Sequence, residues 1–255
     1  MVKGIEVFKD YFAGFKDQYV IIGGAACDYH LHTAELIQRT TKDIDIVLII
    51  EAMNPDFVMR FWDFIAAGGY EKKEKGEKRK YYRFLNPTNV DFPFQVELFS
   101  RYPSLLDQDE RIHVAPIPTP DELSSLSAIL MDEAYYQFVI EHSHFANGVH
   151  WASIEALLCL KAKAYIDISE RIEKGSKDNR RLLKKHKGDI LRLGLLLTES
   201  EEFYLPAPLY EDFVLFLDQI KEDLPDGAIF KEMGVLATVE NVINQIHSSF
   251  LQTGR

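Results

Sequence analysis

The apolar and polar positions of this chain change their rhythm near the middle. Up to about Pro120, short β-branched or aromatic runs alternate with stretches of helical spacing, and beyond it the pattern is almost wholly helical. Tyr19–Ile22 (YVII) predicts a short strand that Gly23-Gly24 stops, and residues 25–37 predict a helix. Residues 43–50 (DIDIVLII) open as an alternation of carboxylate and isoleucine and close wholly apolar, as a central strand covered on both faces does. Residues 55–67 carry Phe57, Phe61, Phe64 and Ile65 at helical spacing behind Asn54, a suitable N-cap, and Gly68-Gly69 ends them.

A charged segment over 71–80 leads into a run over 80–85, and Asn86-Pro87 turns the chain. Residues 92–100 (FPFQVELFS) alternate again, which predicts Phe94, Val96 and Leu98 on one face and Gln95 and Glu97 on the other. Prolines 116, 118 and 120 read as an extended connector. Helices are expected over 122–141, 153–173, 180–197, 208–220 and 238–251. The pattern thus predicts an α/β (α+β) fold, with a mixed sheet flanked by helices over residues 1–118 and a helical domain over 119–255.

Composition narrows the class without naming a function. The 255 residues are 47% hydrophobic and 27% charged, which excludes disordered and collagen-like chains. A formal net charge of −11 argues against non-specific polyanion binding, although a local basic patch remains compatible with it. Cys27 and Cys159 lie far apart in apolar sequence and read as buried free thiols of a reducing compartment. No run approaches the ~20 apolar residues of a membrane helix, and the first residues lack a signal peptide's apolar core. The expectation is a soluble, cytoplasmic protein with no membrane partner.

Chemistry concentrates in one constellation. Asp43 and Asp45 stand two apart at the start of a strand, so both carboxylates point to one side of the sheet. Two ionised carboxylates on a half-buried strand are costly unless a cation lies between them. Mg²⁺ (or Mn²⁺) suits such a pair, since it takes hard oxygen ligands and usually holds one or two protein carboxylates while substrate phosphates complete its shell. Glu97 on a later strand is the candidate third acid and would allow two metals ~4 Å apart. Asp91 competes for that place, but it stands ahead of the alternating run. A strand running into Gly23-Gly24 and then a helix leaves bare backbone N–H groups at a positive helix end, which suits a triphosphate.

The segments IIGGAACDYHL, RTTKDIDIVLI and FQVELFSR resemble the nucleotidyltransferase fold superfamily, and within it the abortive-infection toxin-like branch of type IV toxin–antitoxin systems. That branch carries Arg-x-Thr-x-Asp-Ile-Asp, which residues 39–45 match position for position. The resemblance implies Asp43 and Asp45 as metal ligands, Glu97 as the third carboxylate, Gly23-Gly24 as the phosphate turn, and Arg39 within the nucleotide site. Glu97 stands where aspartate is more usual, and its extra methylene favours one metal over two. The implied activity moves an NMP from an NTP substrate to an acceptor hydroxyl of RNA, protein or a small molecule, with pyrophosphate released. The implied biological setting is the toxin of a pair with a cognate antitoxin-like protein, and a catalytically silent nucleotide- or partner-binding module is the competing reading.

The helical half adds two elements. Lys161 falls inside the apolar stripe formed by residues 154, 157, 158, 164, 165 and 168, so it must snorkel over the core or meet an anion; the resemblance, in which similar proteins carry a lysine in this helix, implies a phosphate-binding lysine facing the cleft. Lys185 and Asp189 resemble a helical signature of the branch. Being four apart, they either pair with each other or flank the nucleotide. The run EKKEKGEKRK reads as a solvated approach to a hairpin or as an RNA-gripping patch. The His-x-His pairs at 30/32 and 142/144 are poor zinc ligands on a helix, where residues two apart do not share a face.

Overall fold

The computed structural model describes residues 2–37, 41–49, 51–52, 54–71, 82–101, 132–175 and 180–254. The fold is mixed α/β: a six-stranded mixed sheet flanked by helices, followed by a mainly helical region. Strands β1 (Tyr19–Ile22), β2 (Asp43–Leu48), β3 (Tyr82–Leu85), β4 (Gln95–Phe99), β5 (Ser143–Ala146) and β6 (Val149–Ala152) lie in the order β3-β4-β2-β1-β6-β5. β1 runs antiparallel to β2 and parallel to β6, whereas β2 and β4 run parallel.

Helices α1 (Ile5–Phe12) and α3 (Pro55–Gly68) cover one face through a set of interlocking rings. Phe8 and Phe12 meet Tyr19 of β1 and Phe64 of α3, and Phe61 meets Phe84 of β3. The expected start of α3 is present: Asn54 Oδ1 accepts from the Phe57 N–H at 2.9 Å, Pro55 follows it, and Gly69 closes the helix at φ 62°. Helix α2 (Gly23–Thr33) begins directly at the end of β1. Helices α5 (Ile154–Glu173) and α6 (Arg180–Gly194) pack on each other and on α2. The buried core is continuous from the sheet into this helical layer.

Several expectations move. α2 starts at Gly23 rather than Ala25 and stops at Thr33, four residues short. β4 starts at Gln95, so Phe94 is exposed outside the strand instead of sharing the buried face of Val96 and Leu98. The near-absence of strands beyond Pro120 fails at two places. β5 and β6 form a hairpin around Asn147-Gly148, whose φ values of 53° and 83° are those of a tight two-residue turn, and it extends the sheet. β7 (Phe203–Leu205) and β8 (Phe250–Gln252) form a small parallel pair.

The remaining helices are α4 (Glu133–Glu141), α7 (Ala207–Glu222), the short α8 (Ala228–Glu232) and α9 (Val239–Ser249). The expected boundary at 118/119, the proline connector and most of the EKKEKGEKRK run lie outside the described residues. Among the described residues no helix is long and apolar enough to cross a membrane.

Candidate active site

Three strands and one helix terminus build the site. In β2, Asp43 and Asp45 alternate with buried Ile44 and Ile46, so they share a face of the sheet. The parallel register sets Asp45 directly beside Glu97 of β4, and the antiparallel register sets Arg83 of β3 directly beside Glu97 on its other side. Asp45, Glu97 and Arg83 therefore form one row across adjacent strands. Arg83 Nε donates to Glu97 Oε1, and the Glu97 side chain is almost wholly buried beneath this contact.

The glycine turn abuts the same row. Ile22, the last residue of β1, is the register partner of Asp45, so the chain enters α2 alongside that carboxylate. Gly23 has φ +66°, and a Cβ there would lie 2.0 Å from Asp45 Oδ2. A Cβ on Gly24 would lie 2.9 Å from Thr41 Oγ1. Glycine at position 23 is thus required twice, by the left-handed backbone and by the approach of the acid.

The electrostatics of the row are strained in one direction. Burial, together with the neighbouring Glu97 and Asp43 charges, pushes the Asp45 carboxyl up to about 7, against the opposing pull of Lys185 and Lys161. Burial also raises Glu97, although Arg83 pulls it back. Asp45 therefore carries a charge that the fold leaves undercompensated, which is the condition a bound cation relieves.

The helical layer supplies the cations. Lys161 of α5 is buried, and its Nζ donates to Asp189 Oδ2 of α6 at 2.7 Å. Burial alone would depress this ammonium, but Asp189 more than offsets it and holds it above the usual lysine range. The choice between snorkelling and meeting an anion is settled: Lys161 meets Asp189. Asp189 pairs with Lys161, and Arg192 Nη1 stands 3.6 Å from its other oxygen. Lys185 is half-buried, and its charge opposes the upward shift of the Asp45 and Glu97 carboxyls.

Lys163 bridges Asp167 and Asp212 at 3.4 and 3.1 Å. Asp91 is exposed in the turn before β4, and the acid beside Asp45 on the neighbouring strand is Glu97. Arg39 lies outside the described residues. Sequence reasoning missed Arg83. Its signal is the alternation of residues 82–85 just ahead of β4, which pairs the two strands as a hairpin and brings a cation opposite Glu97. One histidine of each pair binds a protein group: His30 Nε2 lies 2.8 Å from the Ala152 carbonyl and His142 Nδ1 lies 2.9 Å from Glu155 Oε1.

Among the described residues, no three His, Cys, Asp or Glu side chains gather closely enough to hold a metal ion as they stand. Two carboxylates on one strand face still meet the need of Mg²⁺, whose protein ligands are commonly one or two such groups, and the raised Asp45 carboxyl fits a missing counter-charge. Comparisons of the chain with protein-family models, curated proteins and solved structures find no match.

Proposed function

We propose that this chain is a metal-dependent nucleotidyltransferase. The observation that carries the reading is Asp45 set against Gly23 at the start of α2, with Asp43 on the same strand face and Glu97 as the adjoining acid. Asp43 and Asp45 would hold Mg²⁺ or Mn²⁺. Bound there, the cation supplies charge neutralisation at an NTP α-phosphate. The backbone of Gly23-Gly24 offers N–H donors to phosphate oxygens at the positive end of α2.

Lys185 contributes a charge over the same acids and is the phosphate contact the helical layer presents. Lys161 and Asp189 act from behind the site by fixing α5 against α6, which sets where Lys185 stands. An acceptor hydroxyl attacks the α-phosphorus, its O–P bond forms as the bond to the bridging oxygen breaks, and pyrophosphate leaves with that electron pair. The hydroxyl proton leaves to water, since Asp43 and Asp45 are committed to the cation.

A second reading, a nucleotide-binding module that transfers nothing, is favoured by the engagement of Glu97 with Arg83. Purified chain incubated with Mg²⁺, α-labelled NTPs and a panel of RNA, protein and small-molecule acceptors separates the two. Transfer of label with pyrophosphate release, lost in Asp45→Asn, supports the enzyme. NTP binding with no release over the panel supports the module, and release undiminished in Asp45→Asn refutes the assignment.

A further inference from the structure

We infer that Arg83 is a positioning residue that occupies Glu97 in place of a second metal ion, so that the site is built for a single divalent cation on Asp43 and Asp45. The inference rests on the reading above that those two aspartates hold a cation, and it decides how many cations the acidic row accepts.

Register and charge set this limit. Along the row the signs run minus at Asp45, minus at Glu97 and plus at Arg83, each residue directly opposite the next on neighbouring strands. Glu97 is the middle member. Its side chain is 9% exposed and that of Arg83 is 25% exposed, so the pair is partly withdrawn from water, where an ion pair is screened less than at the surface. A guanidinium stays charged at every accessible pH and presents a planar fork of donors that matches a carboxylate. To ligate a metal through Glu97, the protein would have to pull that fork off and leave it without its cross-strand partner.

Asp45 lies level with Glu97 on the neighbouring strand, and Asp43 lies two residues further along β2, on the same strand face. The Glu97–Arg83 pair is a neutral wall beside the cation site and fixes the far limit of the negative field. The longer arm of Glu97 reaches Arg83 across the strand gap, which gives a physical role to glutamate at this position.

The test counts metal. Full-length chain is titrated with Mn²⁺ alone, and free ion is followed by electron paramagnetic resonance, without nucleotide. One Mn²⁺ per wild-type chain is expected. In Arg83→Gln the released Glu97 carboxylate joins the field, and either a second Mn²⁺ binds or the single site tightens at least tenfold. Arg83→Lys keeps the wild-type count. The double variant Arg83→Gln/Glu97→Gln replaces the ion pair by a neutral pair of similar size and returns to one Mn²⁺ with affinity within about threefold of wild type.

Two Mn²⁺ on the wild type overturn the inference while leaving the nucleotidyltransferase reading intact. So does an Arg83→Gln chain with unchanged count and affinity, or a double variant that loses Mn²⁺. No Mn²⁺ on the wild type overturns both.

Discussion

Lys161 Nζ stands 2.7 Å from Asp189 Oδ2 across the α5–α6 interface, with both side chains at 5% exposure or less. Two charges withdrawn from water this far are held by each other, and removing one strands its partner in a low-dielectric interior. Asp189→Ala is therefore expected to lower unfolding free energy by about 3–5 kcal/mol. Lys161→Met/Asp189→Leu, which removes both charges, should recover most of that loss. Urea denaturation of the three chains measures it. A double variant as unstable as the single one would show that the pair is not the source.

The Asp45 carboxyl sets a pH dependence whose sign follows from its direction. In the unfolded chain it titrates near 3.8 and in the folded chain at about 7, so between those values the folded state binds more protons. Stability then falls as pH rises from about 4 to 7, at up to about 1.4 kcal/mol per pH unit for this group, and is level above. Asp45→Asn should raise the thermal midpoint by several degrees at pH 8 and leave it nearly unchanged at pH 4. Saturating Mg²⁺ should stabilise the wild type more at pH 8 than at pH 5, because the ionised carboxylate is the form that binds it. Calorimetric melts at the three pH values check both statements.

Gly23 and Gly24 differ in what a methyl group would meet. At Gly23 the backbone is left-handed, which costs an L-residue about 1–2 kcal/mol, and the Cβ would also collide with Asp45 Oδ2. Gly23→Ala should therefore both destabilise the chain and displace the acid, lowering NTP turnover by at least 100-fold. At Gly24 the nearest atom is a threonine hydroxyl, which can yield. Gly24→Ala should be milder, and Gly24→Ala/Thr41→Ala should restore it toward wild type. Melting curves and pyrophosphate release, measured on the same preparations, distinguish strain from loss of the site.

Local signals carried the centre of the fold. The order strand, paired glycines, helix, Asp-x-Asp strand is written in contiguous residues, and β1, α2 and β2 appear where that order sets them. Asn54 and Gly69 likewise cap α3 through interactions within four residues. What the sequence hid is non-local. Lys161, which pairs with Asp189, is 28 residues away on another helix, and nothing in the local spacing around Asp189 reveals that contact.

Arg83 faces Glu97 only because two strands adopt one register out of several. The β5–β6 hairpin is a different case. Asn147-Gly148 is a strong turn signal, but four-residue strands beside long helical stretches give little periodicity to read.

The most direct measurement is calorimetric titration of the purified chain with a non-hydrolysable NTP in the presence and absence of Mg²⁺, repeated on a folded Asp43→Asn/Asp45→Asn chain. One nucleotide bound per wild-type chain only when Mg²⁺ is present, with at least a hundredfold weakening in the double variant, is the expected result. Binding of equal strength in wild type and double variant, or no binding to the wild type with Mg²⁺, would contradict the assignment of these acids to a nucleotide–metal site.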